Sequence, residues 1–159
     1  MWTIEHAILF LLIALPISFG LMTLFLDASK GYLVTEIALY MLESPWGHVT
    51  VGLFAIIGHS LSFLARFKGG KGVATALGVL MALSPDVCIA IFIIGAIVIA
   101  LTRYVSPVVL LCSTAVPILL YVREYPIAYI IVYAIIALFI IIRHRSNIQR
   151  IISGKENKI

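Results

Sequence analysis

The stretch with the most chemistry in this sequence is residues 66–75, which read Arg-Phe-Lys-Gly-Gly-Lys-Gly-Val-Ala-Thr. Three glycines in four positions allow backbone conformations that a Cβ forbids, and they let N–H groups come close to a ligand. The apolar run from Val73 to Leu83 can begin a helix, and its free N–H groups and positive dipole end would lie beside the glycines. With two lysines nearby, this pattern predicts an anion site, for which phosphate is the natural ligand.

A second interpretation of the same stretch is a cationic cytoplasmic turn between two membrane helices. Such a turn needs the basic residues but has no use for three glycines, so we favour the anion site. The stretch is not a P-loop of the nucleotide-hydrolase type, because Gly70-Lys71 is followed by Gly72 instead of Ser or Thr. Ala65 also stands where that motif has its leading glycine.

The composition is that of an integral membrane protein. Of 159 residues, 63% are hydrophobic and 11% charged, and the mean hydropathy is +1.18. The net charge of +4 is small and does not indicate nucleic-acid binding. Cys88 and Cys112 both lie in apolar runs, so neither a disulfide framework nor a thiolate metal site is expected.

Apolar segments fill most of the chain, and we interpret each as a membrane helix, although two of them have only 11 residues. They are residues 7–26, 32–42, 49–64, 73–83, 87–101, 105–122 and 127–142. Asp27 and Lys30 lie between the first two segments, at a spacing at which they can pair on one face of a helix. Either there is a turn near Asp27 or near residues 16–20, which gives seven crossings, or Asp27 and Lys30 form an ion pair inside one continuous helix, which gives six. The sequence therefore predicts an all-α bundle of 6–7 transmembrane helices in a single domain, residues 1–159.

The placement of positive charge predicts the orientation of this bundle. If every segment crosses, ten of the 11 Lys and Arg residues lie on one side and only Arg123 lies on the other. Positive residues mark cytoplasmic loops. We therefore expect the glycine stretch, Arg103 and a basic C-terminal tail, residues 143–159, at the cytoplasmic surface.

The candidates for proton transfer are histidines at that surface. His144 follows Arg143, and Asn147 comes three residues later, so a helical tail would put His144 and Asn147 on one face. Histidine is the side chain best suited to proton transfer near neutral pH, although an interfacial structural role is the commoner one for an isolated histidine. His59 ends the segment before the glycine stretch, where a structural hydrogen bond is the simpler interpretation.

Several stretches resemble one known family, the bacterial acyl-phosphate:glycerol-3-phosphate acyltransferases. Gly58-His59 followed by residues 67–75 closely resembles the glycine-rich block of that family. Residues 102–106 resemble a second block, residues 143–150 resemble the closing one, and Asp27 with Lys30-Gly31 resembles an element of the second helix. The similarity runs from about residue 21 to the C-terminus.

The resemblance implies a seven-helix enzyme of the bacterial cytoplasmic membrane, with its active site facing the cytoplasm. It would move a fatty acyl group from acyl phosphate to the 1-hydroxyl of glycerol 3-phosphate and so produce lysophosphatidic acid, the first step of phospholipid synthesis. It implies no metal, coenzyme A or nucleotide, no nucleic acid and no obligate protein partner; its partners are the two substrates and membrane lipid. On matching positions, His144 and Asn147 would be catalytic. Phosphate would be held by Lys68, Gly69, Gly70, Lys71, Gly72 and Thr75, and supporting residues would be His59, Arg103, Ser106, Asp27 and Lys30.

This chain departs from the family pattern between the first two predicted helices. The family has there a cytoplasmic stretch of the pattern Ser-Gly-Asn-x-Gly-Ala-Thr-Asn-x-x-Arg, whereas here residues 17–20 lead almost directly to Asp27. Two other functions therefore stay open. The chain is either a catalytically inactive relative that binds phosphate or lipid headgroups as a membrane partner, or a small transporter, for which few polar residues at mid-membrane depth are available.

Overall fold

The computed structural model describes residues 4–61 and 70–158, and over these residues the fold is all-α. There are seven helices: α1 (Ile4–Met41), α2 (Pro45–Ser60), α3 (Val73–Leu83), α4 (Pro85–Thr102), α5 (Val105–Val122), α6 (Ile127–Arg143) and α7 (Arg145–Ile152). The predicted segments at 105–122 and 73–83 coincide with α5 and α3. The all-helical class is confirmed.

Helix α1 is one continuous helix of 38 residues, and it includes both of the first two predicted segments. The polar turn predicted as one alternative near Asp27 is therefore wrong. The other alternative is correct, because Lys30 Nζ lies 3.0 Å from Asp27 Oδ1 within the helix. This ion pair places a cation beside the carboxylate one turn away, so that the helix can continue through two charged residues.

Proline marks the start of two helices and the end of a turn. Pro45 and Pro85 occupy the first turn of α2 and α4, where a missing N–H removes no intrahelical hydrogen bond. Pro126 precedes α6. The predicted segment 87–101 agrees closely with α4, whereas α2 begins four residues before the predicted segment 49–64, because Pro45 starts the helix inside the stretch expected to be a turn.

The core lies where α2, α3 and α6 meet α4 and α5. Its most buried side chains include Val49, Ile56, Val79, Leu80 and Leu120. By length and composition, α4 and α5 are each able to span a membrane, with 18 residues apiece. Helices α6 and α7 together form a third apolar unit that bends by 62°. Helix α3 is apolar but has only 11 residues.

Helices α1 and α3 approach each other closely at two glycines. A Cβ at Gly31 would lie 2.2 Å from the carbonyl oxygen of Thr75, and a Cβ at Gly78 would lie 1.9 Å from that of Ala28. Neither neighbour is a flexible side chain that can move away. The absence of a side chain at these two positions is therefore what lets the two backbones touch.

We predict that Gly31→Ala destabilises the bundle by roughly 1–3 kcal/mol, because the added methyl group must push the helices apart. The matched control is Gly20→Ala in the same helix, where nothing lies within 4 Å of the new Cβ. That control should stay within about 1 kcal/mol of wild type, in the direction of greater stability. Thermal unfolding in detergent measures both, and equal stability of the two variants would contradict the close approach.

Candidate functional site

The end of the glycine stretch forms the start of α3. Gly72 has φ 81 and ψ 0 in the left-handed region and is the N-terminal cap of α3. A Cβ there would lie 3.0 Å from Ser60 Oγ and 3.1 Å from Ile56 Cγ2, so both the backbone angle and the space favour glycine. The turn leaves the first amides of α3 without intrahelical partners, as the sequence suggested for an anion site.

Gly70 lies against His59 at the end of α2. A Cβ at Gly70 would be 2.7 Å from His59 Nε2. The other ring nitrogen, Nδ1, lies 3.5 Å from Asp27 Oδ1, which also pairs with Lys30. His59 thus connects the glycine turn to the Asp27–Lys30 ion pair of α1. Residues of α1, α2 and the glycine turn therefore meet at one place.

Lys71 extends from the glycine turn to α7. Its Nζ donates a hydrogen bond of 2.6 Å to Oδ1 of Asn147 in α7. Desolvation lowers the pKa of Lys71, the nearby Arg150 lowers it further, and Glu156 acts in the opposite direction. The ammonium is therefore held beside another cation, an arrangement that an arriving anion would stabilise.

Asn147 is the centre of a buried hydrogen-bond network. Its Nδ2 donates to Ser106 Oγ at 2.6 Å and to Glu156 Oε1 at 2.8 Å. Ser106 Oγ in turn donates to the same Glu156 oxygen at 2.5 Å. The residue is 4% exposed. The amide therefore uses both its oxygen and its nitrogen, and it connects the glycine turn, α5 and the C-terminal tail.

His144 lies at the bend between α6 and α7 and is 3% exposed. Its Nδ1 lies 2.8 Å from the carbonyl oxygen of Ile140. A carbonyl only accepts, so Nδ1 carries the proton in the neutral ring and Nε2 is left as the basic nitrogen. Desolvation lowers the pKa of His144. Neutral imidazole with one basic nitrogen is the state that a general base needs.

A cavity of about 580 Å³ begins at these groups and continues into the bundle. Its polar end is lined by Asp27, His59, Lys71, Ser106 and His144, and by Gly70 and Gly72. The rest of its lining is mostly apolar and comes mainly from α3, α4, α5 and α6, with Ile91, Ile99, Val109 and Ile136 among the contributors. One end of the cavity can hold a charged group, and the other can hold a hydrocarbon.

The predicted site residues divide into three groups. The cavity or its hydrogen-bond network brings together Gly70, Lys71, Gly72, His144, Asn147, Ser106, His59, Asp27 and, through its ion pair, Lys30. Thr75 is buried in α3 and Arg103 is exposed as the cap of α4; neither is among the described residues that line the cavity. Lys68 and Gly69 lie outside the described residues.

Two site residues were missed by the sequence reasoning. Glu156 enters the network from the C-terminal tail, and Arg150 pairs with it, the Nε to Oε2 distance being 2.8 Å. A signal was present, since Glu156 is a lone acidic residue in a tail that otherwise carries Arg and Lys. Arg143, which the sequence placed only next to His144, donates to the carbonyl oxygen of Gly70 at 3.3 Å.

Comparison with known proteins identifies the family. The family model for glycerol-3-phosphate acyltransferase matches residues 11–154. A glycerol-3-phosphate acyltransferase of Synechococcus sp. (strain JA-3-3Ab) is 40% identical over 140 residues, which cover 88% of this chain and 68% of the relative. This chain belongs to the glycerol-3-phosphate acyltransferase family. The family expected from the glycine block is thus confirmed, and acyl transfer to glycerol 3-phosphate is the activity for which the family is named.

Other members of the family agree with this assignment. The glycerol-3-phosphate acyltransferase of Trichormus variabilis is 40% identical over 86% of this chain and 60% of its own length. That of Aquifex aeolicus is 36% identical over 91% of this chain and 76% of its own length. The chain therefore spans between 60% and 76% of the length of these three relatives.

Solved structures of the same family have the same fold. Crystal structures of PlsY, an integral membrane glycerol 3-phosphate acyltransferase, superpose with a TM-score of 0.86 at 35% identity and cover 89% of this chain. One is the lysophosphatidic acid form and the other the glycerol 3-phosphate form, and the aligned part is 73% and 72% of those chains. The integral membrane class expected from composition is confirmed.

We predict that His144 titrates below its ordinary pKa of 6.5, because burial disfavours the imidazolium. The ring is then neutral at pH 7 and gains a proton only as the pH falls below 6.5. Lys71 contributes to this depression. Lys71→Met should therefore raise the midpoint towards 6.5, whereas the exposed Lys155→Met should not change it. NMR of ring-labelled histidine measures the midpoints, and a wild-type value at or above 6.5 would contradict the buried neutral ring.

Proposed function

We propose that this chain transfers a fatty acyl group from acyl phosphate to the 1-hydroxyl of glycerol 3-phosphate, with lysophosphatidic acid and inorganic phosphate as products. The observation that carries the proposal is the position of Lys71, Ser106 and His144 at the mouth of a cavity whose remaining lining is mostly apolar. Both substrates carry phosphate and one of them carries a long hydrocarbon. A single site with a cationic end and an apolar end fits that pair.

The phosphate groups would bind at the cationic end. The support is the first turn of α3 after Gly72, the ammonium of Lys71, and the guanidinium groups of Arg143 and Arg150 around the mouth. Helix N-terminal amides and cations act on phosphate in the same direction, and both are already held in place here. A preorganised set of donors of this kind also stabilises the charge that develops on the carbonyl oxygen during acyl transfer.

The acyl chain would lie in the apolar part of the cavity, between α3, α4, α5 and α6. Burying hydrocarbon there is favourable by about 0.8 kcal/mol for each CH₂ group. A volume of about 580 Å³ is within the usual range for small-molecule sites. Binding the chain along this direction puts the acyl phosphate carbonyl at the polar end.

The reaction then needs one proton acceptor. The glycerol 3-phosphate hydroxyl oxygen attacks the acyl carbonyl carbon, the bond from that carbon to the phosphate oxygen breaks, and inorganic phosphate leaves. His144 Nε2 takes the hydroxyl proton, while the other ring proton stays on Nδ1, which donates to the carbonyl oxygen of Ile140. Asn147 and Ser106 would orient glycerol 3-phosphate in the same place. Fixing two substrates in this way supplies a large part of the rate enhancement in group transfer.

The orientation in the membrane is part of the proposal. Helices α1 to α6 would each cross once, which gives six crossings of a bacterial inner membrane and places the mouth and the basic tail, residues 143–159, in the cytoplasm. The support is the distribution of charge: of the 11 Lys and Arg residues, nine lie in segments on that side, Arg123 lies on the other, and Lys30 lies within α1. Water-soluble glycerol 3-phosphate would then reach the site from the cytoplasm.

We expect membranes that contain this chain to transfer labelled acyl groups from acyl phosphate to glycerol 3-phosphate. Lys71→Ala should lower the rate by roughly 10²–10³-fold because it removes a preorganised charge, and His144→Ala by roughly 10²–10⁴-fold because it removes the general base. The matched control is Lys155→Ala, which removes a cation from the exposed tail and should leave the rate unchanged.

Other outcomes of this assay favour the rival functions. Glycerol 3-phosphate binding that Lys71→Ala abolishes, without any transfer by the folded wild type, would indicate an inactive phosphate-binding relative. Uptake of glycerol 3-phosphate into sealed vesicles would indicate a transporter. Equal transfer by wild type and both site variants would overturn the site assignment.

The apolar lining predicts a change of chain-length preference. Gly95 is buried in α4 and lines the cavity, and a Cβ there would make ordinary contacts of 3.5 Å with Cys112 and 3.7 Å with Val108. Gly95→Leu should therefore fold and fill part of the cavity. We expect its rate with palmitoyl phosphate to fall at least tenfold more than its rate with octanoyl phosphate, since each CH₂ that no longer fits forfeits about 0.8 kcal/mol.

The control for this variant is Ala100→Leu, on the exposed face of the same helix. It should leave the ratio of the two rates at the wild-type value. An equal loss with both chain lengths in Gly95→Leu would mean that the acyl chain does not lie in this cavity.

A further inference from the structure

The residues after α7 fold back onto α7 and the start of α5, beside the polar end of the cavity. We call residues 154–158 the C-terminal strap. Gly154 has φ 67 and turns the chain, and the amide of Lys155 donates to the carbonyl oxygen of Arg150 at 2.8 Å. At the other end, Lys158 Nζ lies 5.1 Å from the centre of the Tyr104 ring, immediately before α5. The strap is therefore held at both ends, on α7 and at the start of α5.

Glu156 lies in the middle of the strap and reaches into the site. Its Oε1 accepts hydrogen bonds from Ser106 Oγ and Asn147 Nδ2, and its Oε2 accepts one from Arg150 Nε. The side chain is 6% exposed. The hydrogen bonds from Ser106 and Asn147, followed by that from Arg150, lower the pKa of Glu156 to about 2. The group is thus a hydrogen-bonded carboxylate at neutral pH.

We propose that Glu156 is a positioning residue for acyl transfer, which fixes the side-chain amide of Asn147 with its oxygen towards Lys71. The proposal rests on the function proposed above. Lys71 has only donors to offer and the Glu156 carboxylate has only acceptors. With the amide turned over, NH₂ would face the ammonium and the amide oxygen would face the carboxylate. Both contacts would be repulsive, so the two charged groups together select one orientation.

This orientation has a direct effect on the phosphate end of the site. The Asn147 oxygen accepts from Lys71 at 2.6 Å and so holds the ammonium at the mouth. Without Glu156, the amide would be free to turn, and Lys71 would lose its fixed acceptor. Glu156 therefore acts on the reaction through Asn147 and Lys71, without touching a substrate.

The test compares Glu156→Ala, Glu156→Gln and the matched control Lys155→Ala, a change to the exposed neighbour in the same strap. We expect Glu156→Ala to lower kcat by roughly 10- to 100-fold, the size of one lost hydrogen bond to a charged group. Glu156→Gln keeps an oxygen that accepts from Ser106 and Asn147, and it should restore most of kcat. Lys155→Ala should match wild type.

A second measurement reports on the amide itself, without any turnover. In nitrogen-labelled protein the Asn147 side-chain NH₂ signal, assigned by its loss in Asn147→Asp, should exchange slowly with water. It should exchange faster in Glu156→Ala and stay protected in Glu156→Gln. Thermal unfolding in detergent shows whether each variant is folded.

The outcomes separate this proposal from the function on which it rests. Higher kcat and a lower KM for glycerol 3-phosphate in Glu156→Ala would overturn the positioning role and show that the carboxylate occupies the place of a substrate anion. Unchanged kcat and an unchanged NH₂ signal would also overturn it. If wild type shows no transfer at all, the proposed function fails, and the NH₂ signal alone decides whether Glu156 orients Asn147.

Discussion

The contact between α1 and α3 is made of backbone on backbone, at Gly31 against Thr75 and at Gly78 against Ala28. This contact matters because it fixes the position of α3. The helix has only 11 residues, and its first turn contributes the candidate phosphate end of the site. A short helix positions its end accurately only if its sides are fixed. Two helices that touch without intervening side chains have little freedom to slide, because every displacement drives carbonyl oxygens into neighbouring atoms.

A second constraint is the collection of positive charge at the mouth. Lys71, Arg143 and Arg150 all come near the same point, and Glu156 is the carboxylate that the network places among them. Repulsion between the cations is tolerable because Asn147 and Glu156 accept hydrogen bonds from two of them. The arrangement leaves a net positive mouth next to a dry cavity. A bound phosphate group would supply the negative charge that balances the cations at this mouth.

Much of the fold could be predicted from local sequence patterns, because membrane helices are long and apolar. The limits of α5 and α3 followed from the polar residues and prolines around them. Residues 27–30 are a place where local patterns did not decide between a turn and a helix. A carboxylate and an ammonium between two apolar runs look like a turn, yet at this spacing they neutralise each other and the helix continues.

In the site, too, features encoded by neighbouring residues were predicted, and features that depend on distant residues were not. The glycine block and His144 were predicted because their chemistry is contained in a few consecutive residues. Glu156 was not, since its role exists only after α5, α7 and the tail have packed together. Arg103 was expected as a supporting residue from the resemblance alone; it lies at the exposed end of α4, and its role stays a prediction.

The cavity is not sealed from the outside of the bundle. Phe92 lines it and is 65% exposed, and Val105 near the mouth is also exposed. An opening through the side of a membrane bundle faces lipid, whereas the mouth faces water. For the proposed reaction, one substrate would then be counted as a mole fraction of the bilayer and the other as a molar concentration. Adding inert lipid would dilute the first and leave the second unchanged, so the rate of such a protein is set by the state of its membrane as well as by the solution around it.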